Sequence, residues 1–117
     1  MIETISANIA ASDSLSLIAD IDHARLGAGV DSVMMPARVL IFYNAALESQ
    51  VIALNPLTAL ELPLRALAFE DPETGENRVI YNSFNYLKSR FKLDDSPVVK
   101  ALARDYAASM AAALQGL

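Results

Sequence analysis

Residues 37–54 read ARVLIFYNAALESQVIAL, and this stretch decides the fold. Apart from Arg38, its first seven residues are aliphatic or aromatic, the composition of a central strand covered on both faces or lying at a dimer contact. Asn44 ends the strand. Its side-chain oxygen suits the free N–H groups at a helix start, and Leu47, Val51, Ala53 and Leu54 behind it suit a helix of about three turns that Pro56 stops. A strand therefore hands over to a helix at Asn44.

Downstream, residues 57–63 form a short connector, residues 64–70 a second strand, DPETG at 71–75 a turn, and residues 77–82 a returning strand. Asn82 or Ser83 caps a short helix through Phe84, Tyr86, Leu87 and Phe91. DDSP at 94–97 is a strong helix start, with a capping serine, proline at the first helical position and acids facing the dipole. The last helix carries Val98, Val99, Leu102, Tyr106, Met110, Ala113, Leu114 and Leu117 as one apolar stripe opposite Lys100, Arg104 and Asp105. Upstream, Ile5, Ala7 and Ile9 alternate with polar residues, as do Leu15, Leu17, Ala19 and Ile21 after a break at residues 12–14, which predicts a hairpin. Ile18 falls on its polar side. Gly27, Gly29 and Asp31 mark a loop or short helical turn, and Met35-Pro36 sets an extended entry to the strand at 37–43. The sum is an α+β fold: an antiparallel sheet of four to five strands with helices packed on one face.

With 117 residues, 54% of them hydrophobic and 20% charged, the chain predicts one domain over residues 1–117. No apolar run approaches the ~20 residues of a bilayer span, so a soluble chain with no membrane partner is expected. A net charge of −5 and a pI near 4.6 disfavour nucleic acid as a partner. Zero cysteines remove thiol catalysis, disulfides and iron–sulfur ligation, and a single histidine removes any site needing two imidazoles from one chain. Residues 1–24 hold acids and no Lys or Arg, unlike a secretory signal, which favours a cytoplasmic location.

Four ordered blocks carry a family resemblance: IDHA at 21–24, LIFYN at 40–44, NPLTALELPLRALAFED at 55–71 and YNSFNYL at 81–87. Together they make residues 21–93 resemble the small bacterial family called domain of unknown function 302. The chain departs from the family pattern at Tyr43, where Gly is usual, at Ala45 and Glu48, where Pro and Gly are usual, and at Ser83-Phe84, where Asp-Pro is usual. Family members also usually carry a helix before the strand leading into the Asp-His pair. Only the break at residues 11–14 is read upstream of that strand here, so the C-terminal helix at 96–117, beyond the family's usual end, is expected to replace the first helix. The resemblance implies an α+β fold and a homodimer, and it supplies no reaction.

His23 is the one side chain whose ordinary pKa lies near neutrality, and it follows Asp20 and Asp22 beside a glycine-containing loop. Glu61 stands in the apolar run LTALELPL, where a carboxylate is costly unless exposed or paired. Asn44 and Asn82 each end a strand. If those strands are neighbours, His23, Asn44, Glu61 and Asn82 line one rim that offers imidazole, amide and carboxylate to a small polar ligand. The alternative makes both asparagines caps, pairs Glu61 with Arg65 and leaves His23 as a strand end. Tyr81, Phe84, Tyr86 and Phe91 read as core rather than a ligand floor. No phosphate loop, nucleophile elbow or metal box is present, so no cofactor and no metal are expected. Two functions fit: a non-catalytic homodimeric binding or interaction module, dimerising through its sheet or its last helix, or an enzyme of small polar substrates using His23 with Glu61 or Asp22 as acid and base.

Overall fold

The computed structural model describes residues 1–117. Burial alternates along the two inner strands, β2 (Ala37–Tyr43) and β3 (Leu64–Glu70): Leu40, Phe42, Leu64, Ala66 and Ala68 point into a helical layer, while Val39, Ile41, Leu67 and Phe69 point the other way. β1 (Ser16–Asp22) and β4 (Asn77–Ile80) flank them in the order β1-β2-β3-β4, every pair antiparallel. The fold is thus the expected α+β arrangement. Leu67 faces Ile80 and Phe69 faces Arg78 across the β3–β4 pair, and Gly75, at φ 74, makes the turn between them.

Helices cover one face only. α3 (Ala45–Leu54) and α5 (Pro97–Ala113) supply Leu47, Val51, Val99, Leu102, Tyr106 and Met110 to the core, and α4 (Phe84–Arg90) adds Phe84 and Leu87. Ser96 caps α5 by accepting from the Val99 N–H, and Pro97 takes the first helical position. Most of the α5 stripe is buried against the rest of the same chain; Val98 and Leu117, read as part of the stripe, are exposed.

The N-terminal hairpin is overturned. Residues Ile2–Ala11 form a helix, α1, that buries Ile5 and Ile9, and only the second half of the expected hairpin is a strand. Ile5 and Ile9 are four apart, a spacing shared by a strand's alternate positions and by successive turns of a helix, and the helix won because Ile2 falls on the same face. A helix therefore does precede the strand leading into Asp22-His23, which removes the ground for expecting α5 to stand in for it. It lies beside α1, where Asn8 Nδ2 donates to the carbonyls of Ala113 and Gln115 at 2.9 Å and so caps the end of α5. The out-of-phase Ile18 sits in a β-bulge between Leu17 and Ala19 and is 54% exposed.

α2 (His23–Ala28) and the residues up to Pro36 project from the end of the sheet as an arm. The radius of gyration, 15.5 Å, exceeds the about 13 Å expected for a compact chain of this length, and the longest dimension is 47 Å. No helix is long and apolar enough to cross a membrane.

Candidate functional site

The end of the sheet where β2 leaves and β3 enters gathers most of the polar chemistry. Asn44 caps α3: its Oδ1 accepts from the Leu47 N–H at 3.2 Å, and its Nδ2 donates to Ser109 Oγ on α5 at 3.2 Å. The Ser109 hydroxyl in turn donates to the Asp105 carbonyl at 2.9 Å. The Glu48 carboxylate reaches back to accept from the Asn44 N–H at 2.8 Å, and the Leu64 N–H supports it as well. Burial nevertheless pushes the Glu48 carboxyl above its ordinary value, because the two N–H groups do not fully replace water. A cleft of about 280 Å3 between α3 and α5 includes Ser14, Asn44, Gln50, Asp105 and Ser109 in its lining.

Glu61 lies at this same end. Its partner is Arg90 on α4, with Nε and Oε1 3.5 Å apart, rather than Arg65. Asn82 follows β4. Its backbone carbonyl accepts from the Tyr106 hydroxyl at 2.5 Å, and its exposed side chain lines a separate groove on the open face of the sheet with Arg65 and Tyr81. Burial pushes the Tyr106 phenol up to about 12.

His23 is elsewhere. It is the first residue of α2, exposed, at the end of the sheet where Asp22 faces Arg38. Six rises of about 3.3 Å along β2 separate that end from Asn44 by ~20 Å. The single rim of His23, Asn44, Glu61 and Asn82 is therefore not formed. Antiparallel neighbours place successive strand ends at opposite edges, and the β1 exit and β2 exit are such a pair. Nor can His23 and Glu61 act as one acid–base pair. Asp22 uses Oδ1 to accept from the Arg25 N–H at 3.0 Å as the cap of α2. No group of three or more His, Asp or Glu side chains is placed to hold a metal ion. The aromatic residues divide: Phe84 is buried edge-on against Tyr106, with centroids 5.6 Å apart, whereas Tyr81 and Tyr86 are exposed.

The sequence reading missed Glu48 and Ser109 as members of this polar end. Glu48 had a signal, since a carboxylate four residues after a capping Asn can return to the cap's N–H. Ser109, on the buried stripe of an alanine-rich helix, had only the oddity of a hydroxyl among apolar neighbours.

An antiparallel sheet with a helical layer on one face, an open apolar face on the other and a polar cluster at one end defines a small α+β domain. The chain belongs to the family described as Domain of unknown function DUF302, whose family model matches residues 1–117. Its fold is similar to that of an uncharacterised conserved DUF302 protein from Bacillus stearothermophilus, with a TM-score of 0.78 at 17% sequence identity, over 97% of this chain and 84% of that one. Among curated proteins, no sequence matches the chain.

Proposed function

We propose that this DUF302 domain is a non-catalytic binding module that works as a homodimer, each copy laying its arm over the β1–β2 part of the other's open sheet face. The observation that carries this is the arm itself. Leu26, Val30 and Val33 are 64%, 78% and 101% exposed, with Met34 and Met35 beside them, although the arm is an ordered turn. The N–H groups of Val30 and Ser32 donate to the Gly27 carbonyl at 3.0 and 2.9 Å, and a side chain at Gly27 would collide with Met34. Five large apolar side chains exposed together on one short segment are a contact surface.

Area favours exchange of arms over simple face-to-face stacking. Three strands of seven residues and one of four offer roughly 400 Å2 of flat sheet, short of the about 800 Å2 per partner of a stable interface. The arms supply the difference, and Ile18, Ile21 and Ile41 give them an apolar seat. Sedimentation velocity on Val33→Asp tests this. The wild-type chain sediments as a dimer at micromolar concentration, and the variant as a monomer that still melts cooperatively, its melting temperature lowered only by the lost association, because the Val33 side chain is fully exposed in its own subunit. A wild-type chain that sediments as a 12.6 kDa monomer refutes it.

A further inference from the structure

We infer that the β3–β4 part of the open sheet face binds a small carboxylate with an apolar body, such as a short-chain fatty acid, with Arg65 holding the carboxylate and Val39, Leu67 and Ile80 under the hydrocarbon. This inference rests on the chain's being a binding module and names the ligand of that module. The face is unusual in charge. The chain is acidic overall, at −5, yet none of the strand residues on the open face is a carboxylate: Asp20 and Asp22 lie level with Leu40 and Arg38 on the helical side, and Glu70 shares the side of Ala68.

Two arginines do stand on the open face. Arg78, opposite Phe69, is already paired with Asp71 and Glu76 at 3.1 and 3.0 Å. Arg65, opposite Ile41, makes no ion pair and no hydrogen bond to any side chain or carbonyl of the fold, and it borders a groove of about 180 Å3 that Val39, Leu67, Ile80, Tyr81 and Asn82 complete. An unpaired guanidinium beside aliphatic floor residues is complementary to an anion that carries hydrocarbon, because it offers a planar fork for a carboxylate while the floor removes the tail from water. Asn82 and Tyr81 add polar groups at the mouth. The volume is below the 300–1,000 Å3 typical of drug-sized ligands, which limits the guest to a few carbons beyond its head group. The groove is lined from β3, β4 and Val39, whereas the proposed seat of the partner's arm is Ile18, Ile21 and Ile41, none of which lines it, so a dimer formed through the arms leaves it accessible.

Titration of the full chain with hexanoate, followed by amide chemical shifts, tests the inference, with hexylammonium as the probe of equal carbon number and opposite charge. Hexanoate should give saturable shifts centred on Val39, Arg65, Leu67 and residues 80–82, and hexylammonium should not. Arg65→Gln should weaken hexanoate about tenfold or more while Arg78→Gln leaves it unchanged. Equal response to the two probes, or undiminished binding in a folded Arg65→Gln chain, overturns the proposal. The same titration on monomeric Val33→Asp separates the two ideas. A dimer that does not take hexanoate refutes the groove alone, and a wild-type monomer that takes it refutes the arm exchange alone.

Discussion

Ending the chain at Asp95 removes α5 and with it a large share of the apolar core. Val99, Leu102 and Met110 are at most 2% exposed, and burial of such side chains contributes about 1.5–3 kcal/mol each, or roughly 4.5–9 kcal/mol for the three as an upper estimate. Tyr106 adds its ring against Phe84 and its hydrogen bond to the Asn82 carbonyl. The loss also uncovers Ile5 and Ile9 and strands Asn8 and Asn44, whose amides have partners on or just after α5. Against a net stability of ~5–15 kcal/mol for a domain, this is enough to unfold the remainder. The shortened chain should show no cooperative thermal transition by circular dichroism and should bind a hydrophobic dye at about 25 °C. A soluble, dye-silent chain ending at Asp95 that melts within a few degrees of the full chain would show that the core is complete without α5.

Three smaller perturbations probe single contacts. Ser96→Ala removes the cap of α5 and should cost about 1 kcal/mol in urea denaturation, with the slope of the transition unchanged. Tyr106→Phe should cost about the same, because the Asn82 carbonyl loses its donor, and ultraviolet titration of the wild-type chain should show one phenol ionising only near pH 12. The folded chain holds the Glu48 proton more tightly than the unfolded chain does, so this group's contribution is full below about pH 4.5 and declines as pH rises through its raised value. From about pH 4.5 to 7.5 the melting temperature of Glu48→Gln should therefore fall less than that of the wild type, and parallel curves would refute the assignment.

What the sequence could show depended on whether a signal was local. The strands at 37–43 and 64–70, the Asn44 and Ser96 caps and the turn at 71–75 are each fixed by a few neighbouring residues, and the structure has them at those places. The helix at Ile2–Ala11 was misread because Ile5 and Ile9 satisfy two periods at once; Ile2 on the same helical face was the one local sign, and the contact with α5 that supports it, Asn8 to Ala113, spans 105 residues of sequence. The site was less legible than the fold for a related reason. The rim assumed that the strands ending in Asn44 and Asn82 are neighbours, but β3 lies between β2 and β4, and His23 follows β1, which as the antiparallel neighbour of β2 ends at the opposite end of the sheet from Asn44.

The same geometry explains why Arg65 looked ordinary in the sequence. Four residues after Glu61, it had the spacing of a helical ion pair, but the chain between them straightens into β3, which sends Glu61 to Arg90 and turns Arg65 onto the face that has no carboxylate. The unpaired charge is thus a product of strand alternation: had β3 begun one residue later in register, Arg65 would point into the core beside Phe42 and the open face would lose its cation. The cost of burying an unpaired arginine disfavours that other register, and the observed register leaves one unpaired guanidinium among aliphatic neighbours, the feature on which the proposed carboxylate site rests.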